Sequence, residues 1–189
     1  SYVRGGAGTA YGAEVAFRTL DGPSDIPEGA IGALFSVGEG RQVYFSRGNL
    51  QYQASTDTWR FAPQQYEFTG RGNGRASADW DGWTDLFGWA TSGHDHGAVD
   101  YQPWSGNPDT DSDALHYAYG RMDSDLSDGD GSADWGINPI VNGGNAPGLW
   151  RTLSAREWMH LLFHRNTASG VRFAKAQVEG INGLVILPD

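Results

Sequence analysis

The segment from Leu153 to Trp158 constrains the fold of this chain most, because it fixes the residue at which a helix begins. Ser154 and Glu157 have the S-x-x-E spacing of a capping box, in which the serine hydroxyl accepts from the glutamate N–H and the glutamate carboxylate accepts from the serine N–H. Leu153 and Trp158 flank this box at the spacing of a hydrophobic staple. The pattern predicts a helix that starts at Ser154 and ends before Gly170.

The predicted helix has an apolar face and a polar face. At helical spacing the apolar face comprises Ala155, Trp158, Leu161 and Leu162, so we expect Trp158 in the core. The polar face comprises Glu157, His160 and His164. Two histidines four residues apart also occur in zinc sites, but the spacing fixes no third ligand, which favours a solvated face.

Alternating apolar residues predict two hairpins before the helix. The first pairs Leu34–Val37 with Gln42–Ser46, and the second pairs Leu50–Ala54 with Thr58–Ala62. Together with the helix, these short antiparallel strands indicate the α+β class.

A third hairpin is predicted after the helix. A strand within Val171–Val178 precedes Asn182-Gly183, a dipeptide that favours two-residue turns because both residues take positive φ. Leu184–Leu187 is an unbroken apolar run, which predicts a strand buried on both faces.

Several motifs resemble those of a known family. The segment Arg151–Trp158 is similar to the R-L-P-T-E-A-E-W segment of the sulfatase-modifying-factor family, a branch of the C-type lectin fold. The chain from about Phe35 to Asp189 more closely resembles a domain of surface proteins of gut Bacteroidota, through the motifs Val43–Tyr52, Asp85–Trp89, Asn142–Asn145 and Leu187–Asp189. The resemblance implies a C-type-lectin-like α+β fold with short antiparallel strands, one or two helices and long ordered loops.

The resemblance also suggests a division of the chain. We expect residues 32–189 to form the C-type-lectin-like domain and residues 1–31 to form an N-terminal segment and linker. Residues 3–20 resemble a shortened form of the closing strands of the family, although a short edge hairpin is the simpler interpretation. The edge of the Leu184–Leu187 strand needs a cover. We expect Val15–Leu20 to pair with it, and the alternatives are another copy of the chain or a separate polypeptide.

Charge and composition argue against several functions. A net charge of −10 is poorly matched to the phosphates of nucleic acid. The absence of cysteine excludes disulfides, thiol catalysis and thiolate metal sites, including the catalytic cysteines of formylglycine-generating members of the resembled family. No apolar run reaches about 18 residues, so no membrane insertion is expected. Nucleophile motifs such as G-x-S-x-G are missing, so we expect the protein not to be an enzyme. A glycosidase pair among the many carboxylates is the alternative left open, because composition does not place two of them about 5–9.5 Å apart.

An acidic loop is the strongest candidate for a metal site. Its aspartates are interspersed with glycine and serine, which can bring carboxylates and carbonyls around calcium, an ion that takes six to eight oxygens at about 2.3–2.6 Å. The spacing does not match an EF-hand, and a solvated acidic loop is the alternative. The predicted calcium ligands are Asp123, Asp125, Asp128, Asp130 and Asp134.

Aromatic residues punctuate the loop region 70–147 and are candidates for ligand contact, since such rings combine an apolar body with a polar edge. The predicted ligand-binding residues are Tyr101, Trp104, Tyr117 and Tyr119, whereas Trp83, Phe87 and Trp89 are expected inside.

The resemblance and the long loops predict a non-catalytic recognition or adhesion domain, outside the cell or at its surface, that binds a glycan or a surface protein. The alternative is a structural subunit of a cell-surface assembly. A broad apolar patch would favour the subunit, and a concave site with calcium and one or two rings would favour glycan binding.

Overall fold

The computed structural model of the protein describes residues 2–5, 8–11, 25–75, 80–85, 87 and 134–189. Within these ranges the chain combines short antiparallel strands with one α-helix, which confirms the predicted α+β class. The helix, α1, spans Ala155–Met159 and continues as a π-helical turn, His160–His164. The strands are β1 Tyr2–Gly5, β2 Gly8–Tyr11, β3 Ala30–Gly38, β4 Arg41–Ser46, β5 Leu50–Gln53, β6 Thr58–Phe61, β7 Phe173–Val178 and β8 Ile181–Ile186.

Each strand pairs with its neighbour along the chain, so the described strands form four two-stranded antiparallel sheets. The pairings of β3 with β4 and of β5 with β6 confirm the two hairpins predicted before the helix. β1 and β2 pair with each other. The segment Val15–Leu20, predicted to cover the edge of the last strand, lies outside the described residues.

Two apolar clusters hold these hairpins together. In the first, Tyr52 of β5 lies opposite Trp59 of β6, with ring centroids 4.8 Å apart, and half-buried Phe87 packs on Trp59 at 5.3 Å. Full burial of a large apolar side chain contributes about 1.5–3 kcal/mol, so a few such residues can fix a short hairpin. The second cluster joins β3 to the helical segment and consists of Phe35, Val37, Leu153 and Leu161.

The Asn142–Asn145 motif fastens a loop to β6. The Asn142 side chain acts like a neighbouring strand, because its Oδ1 accepts from the Phe61 N–H at 2.7 Å and its Nδ2 donates to the Phe61 carbonyl at 2.9 Å. The Trp150 Nε1 donates to the Gly143 carbonyl at 2.8 Å. A Cβ on Gly143 would lie 2.8 Å from side-chain atoms of both Phe61 and Trp150, so this close approach requires glycine.

The helix begins as predicted, but its faces differ from the prediction. The Ser154 Oγ accepts from the Glu157 N–H at 3.2 Å and the Glu157 carboxylate accepts from the Ser154 N–H at 2.9 Å, which confirms the capping box. Glu157, predicted on the polar face, is 2% exposed, whereas Trp158, predicted in the core, is 38% exposed. The carboxylate can be buried because it is fully hydrogen-bonded. Leu161, four residues later on the same side of the helix, is 0% exposed, which confirms its predicted place in the core.

The C-terminal hairpin turns at a different dipeptide from the one predicted. The turn is Glu179-Gly180, with φ of 48° and 80°, and Asn182 and Gly183 lie within β8. Both dipeptides can take positive φ, as a two-residue turn requires. The observed register pairs all six residues of β8 with β7 and places Ile186 against the second apolar cluster, so packing decides between the two turns.

The prediction that Leu184–Leu187 is a central strand buried on both faces is also wrong. Among the described strands, β8 pairs only with β7, and Leu184 is 49% exposed. The base of the hairpin is packed through Ile186, while its tip, including Val178, remains exposed. The hydrophobicity of a strand alone therefore does not predict whether a neighbouring element covers it.

Asp189 joins the segment after β8 to the buried Arg165 through an ion pair and to the first hairpin through hydrogen bonds. The Arg165 side chain is 0% exposed, and its Nη1 lies 2.8 Å from the Asp189 Oδ1. The Asp189 Oδ2 accepts from the Ser36 Oγ at 2.5 Å and from the Gln42 Nε2 at 2.8 Å. Burial raises the pKa of Asp189, but these hydrogen bonds and Arg165 outweigh it and hold that pKa below its ordinary value. The Leu187–Asp189 motif thus has a structural role.

Within the described ranges, no helix is both long enough and apolar enough to cross a lipid bilayer.

Candidate functional site

An open cleft of about 510 Å³ combines aromatic rings with polar side chains, and we call it the Gln51 cleft. This volume lies within the range of about 300–1,000 Å³ that is typical of small-molecule sites. The walls come from β5, the loop 64–73, the segment 80–85 and the turn of β7–β8. The lining residues are Gln51, Tyr66, Glu67, Phe68, Thr69, Trp83, Glu179 and Ile181.

Strand alternation explains why Gln51 and Trp83 line this cleft. Tyr52 exchanges two backbone hydrogen bonds of 2.8 Å with Thr84, so the segment 80–85 runs antiparallel beside β5. Tyr52 and Thr84 face the core, where both are buried. Successive side chains point to opposite sides of a strand, so Gln51 and Trp83 face outward.

The loop 64–73, which forms one wall of the cleft, is held at two points. The Asn49 Nδ2 donates to the Glu67 carbonyl at 2.8 Å. The Asp85 carboxylate accepts from the Thr69 N–H at 2.5 Å. Because these bonds fix the backbone on both sides of Phe68, the cleft is organised without a ligand, which lowers the entropic cost of binding.

The Arg60 side chain stacks on Trp83, one of the rings that line the cleft. The Arg60 guanidinium carbon lies 3.6 Å from the centroid of the Trp83 ring, a cation–π geometry. Arg60 pairs with Gln51 across β5–β6, and its Nε donates to the Gln51 Oε1 at 3.0 Å. Burial lowers the pKa of Arg60, and the nearby Glu67 carboxylate partly opposes this by raising it.

The amide of Gln51 is oriented by this contact. An arginine N–H can only donate, so the oxygen of the amide must face Arg60 and the Nε2 must face away from it. Gln51 is 6% exposed and lines the cleft, and its Nε2 has no hydrogen-bond acceptor within the described ranges. A donor group in a nearly buried side chain is therefore free to bind a ligand in the cleft.

A more apolar depression of about 450 Å³, which we call the hairpin groove, lies between β7–β8 and β3–β4. Phe45 and Trp158 line one side, and Val178 of the hairpin lines the other. Phe68 and Ile181 border both the hairpin groove and the Gln51 cleft, so the two depressions are continuous. The exposed apolar side chains of this region make the hairpin a candidate contact surface.

Charged groups also meet at the start of α1, but they stabilise the fold. Arg151 binds the Glu157 carboxylate through two hydrogen bonds of 2.8 and 2.7 Å, and Arg41 adds a third at 3.0 Å. Burial raises the pKa of Glu157, but the hydrogen bonds from Arg151 and Ser154 and the two arginine charges hold it below the ordinary value. This arrangement leaves no carboxylate oxygen of Glu157 available as a base.

Asp134 is the one predicted calcium ligand within the described ranges. Its carboxylate accepts from the Thr152 N–H at 2.9 Å, the Thr152 Oγ1 at 3.1 Å and the Gly136 N–H at 3.1 Å, and so joins two loops. No group of three or more histidine, aspartate or glutamate side chains in the part of the chain described is placed to hold a metal. Calcium binding stays a prediction, because Asp123, Asp125, Asp128 and Asp130 lie outside the described residues.

The predicted ligand-binding rings Tyr101, Trp104, Tyr117 and Tyr119 likewise lie outside the described residues, as does Trp89. Trp83 was expected inside but is half-buried in the wall of the cleft, because Thr84 takes the inward position.

Sequence reasoning missed the other main residues of the cleft, Gln51, Tyr66 and Phe68. Tyr66 lies in a turn closed by the hydrogen bond from the Glu67 N–H to the Gln64 carbonyl, so strand alternation does not apply to these residues. No sequence pattern shows that they face Gln51.

Comparison of this chain with protein-family models, with curated proteins and with solved structures gives no match.

Proposed function

We propose that this protein is a non-catalytic recognition domain, outside the cell or at its surface, that binds a glycan or a surface protein. The observation that carries the proposal is the Gln51 cleft, an open site in which three aromatic rings stand beside amide and carboxylate groups. Few polar groups among aromatic walls are typical of sites that bind and orient a ligand. The motifs that resemble surface domains of gut Bacteroidota support the same function and a C-type-lectin-like fold.

A glycan array probed with the intact protein, with calcium and with chelator, tests the proposal. We expect binding to a restricted set of glycans, and calcium dependence would support a contribution from the acidic loop between Asp123 and Asp134. A blank array under both conditions, together with failure to bind cell-surface protein extracts, would remove recognition as the function.

A structural subunit of a surface assembly is the second candidate, and the exposed hairpin β7–β8 favours it. Apolar side chains stand on a two-stranded sheet whose outer edges have no partner among the described strands, a surface suited to strand addition by a neighbouring chain. Sedimentation velocity at increasing concentration tests this candidate. Association that is abolished by Leu184→Lys would support it, and a monomer at all concentrations would exclude assembly from a single component.

A further inference from the structure

We propose that the Gln51 cleft is a calcium-independent site for an uncharged sugar ring. This inference depends on the proposed recognition function and specifies its ligand class and its residues. The juxtaposition that carries it is the Nε2 of a nearly buried glutamine, which has no acceptor among the described residues, beside the exposed ring of Phe68 and the half-buried rings of Tyr66 and Trp83.

The Gln51 amide presents its donor to the cleft. Its Nε2 is open to water there, and a ligand oxygen would take the place of that water as its acceptor. The β5–β6 pairing fixes the main chain of Gln51, and the bond from Arg60 fixes its amide, so the Nε2 position is set before binding. Because this donor is held in one position, it favours a rigid ligand whose hydroxyl oxygen lies at the matching place over a flexible ligand.

The rings provide the apolar part of the site. Trp83 is stacked against Arg60, while Phe68 is 59% exposed at the mouth of the cleft. The C–H face of a sugar ring is apolar and flat enough to pack on such a ring, and its hydroxyls lie around the rim, where they both donate and accept. Glu67 supplies an acceptor and Thr69 a hydroxyl on the same wall. The cleft therefore presents an apolar surface surrounded by hydrogen-bonding groups, which is the complement of a sugar.

The acidic residues that line the cleft favour neutral sugars over anionic ones. Glu67 and Glu179 both line the cleft, and the whole chain has a net charge of −10. Like charges oppose binding, so sugars that carry carboxylate or sulfate are disfavoured. A lysine-rich peptide would match the carboxylates, but the Arg60 guanidinium already lies 3.6 Å from the Trp83 ring centroid and would repel a second cation there. The observations therefore favour a neutral sugar.

The test uses neutral disaccharides with the intact protein: maltose, cellobiose, lactose and mannobiose, with glucuronic acid and tetralysine as charged probes. Binding is measured by saturation-transfer NMR and calorimetry in the presence of chelator. Two variants alter the site: Phe68→Ala removes an exposed ring, and Gln51→Glu keeps an acceptor for Arg60 while replacing the amide donor. Phe163→Ala is the matched control, because Phe163 is 55% exposed and does not line the cleft. Thermal melts establish that each variant is folded.

We expect at least one neutral disaccharide to bind the wild-type protein without calcium. Its affinity should be at least tenfold lower for Phe68→Ala and for Gln51→Glu, and it should be unchanged for Phe163→Ala. Glucuronic acid should not bind. If the wild-type protein binds glycans on the array and both cleft variants bind them equally well, the cleft is not the site, although recognition stands. Tetralysine binding that is lost in Phe68→Ala would identify a cationic-peptide site and overturn the sugar assignment. A blank array for the wild-type protein would overturn the sugar assignment, and together with failure to bind cell-surface protein extracts it would refute the proposed function as well.

Discussion

Replacement of Glu157 tests how a buried carboxylate holds α1 to the rest of the domain. The Glu157 side chain is 3% exposed, whereas those of Arg151 and Arg41 are 39% and 63% exposed. After Glu157→Ala the Ser154 N–H loses its acceptor, which costs about 1–3 kcal/mol. The two arginines can rehydrate, so each lost pair costs only about 0.2–1 kcal/mol. We expect Glu157→Ala to lower the free energy of unfolding by about 1.5–5 kcal/mol.

Glu157→Gln distinguishes the contribution of the charge from that of the helix cap, because glutamine also serves as the third helical residue of a capping box. It keeps an acceptor for the Ser154 N–H but loses the ionic contacts, so we expect a loss of about 1–2 kcal/mol. Urea unfolding measures both variants, with Glu39→Gln as the control, since Glu39 is an exposed turn residue outside this cluster. If Glu157→Gln is as stable as Glu39→Gln, the arginines contribute nothing and the reasoning is refuted. A larger loss for Arg41→Ala than for Glu157→Gln would also contradict it.

Three further predictions follow from the structure. Folding lowers the pKa of Glu157, so the stabilisation that this carboxylate provides is complete above the ordinary glutamate pKa of about 4.3 and is lost as pH falls through the folded pKa. The difference in stability between wild type and Glu157→Gln should therefore disappear in acid, and a difference that does not depend on pH would contradict this. Leu161→Ala, at a side chain with 0% exposure, should cost about 2–5 kcal/mol in urea unfolding, and Trp158→Ala, at 38% exposure, clearly less; the reverse order would place Trp158 in the core after all. Millimolar calcium should raise the melting temperature if the loop of Asp123 to Asp134 binds it, and identical midpoints with calcium and chelator would refute that site.

Local interactions made several parts of this fold predictable. The capping box specifies the helix start because both of its hydrogen bonds join residues only three apart, and the structure contains both. The hairpins β3–β4 and β5–β6 were likewise predictable, since alternating strands separated by short turns have few other ways to pair. The α+β class follows from these elements.

Burial, register and the Gln51 cleft were decided by tertiary structure. Glu157 is buried because the helical segment packs on β3, and Arg41 meets its carboxylate there from a position 116 residues away, a pairing that no local pattern contains. Glu179-Gly180 forms the last turn, although Asn182-Gly183 has the stronger turn signal, and the register with this turn packs Ile186 against the core. Gln51, Phe68 and Trp83 meet because separate segments pack on one face of a two-stranded sheet. The sequence by itself determines which conformations each segment favours. The contacts that a side chain makes depend instead on the packing of distant segments, because the native fold minimises the free energy of the whole chain.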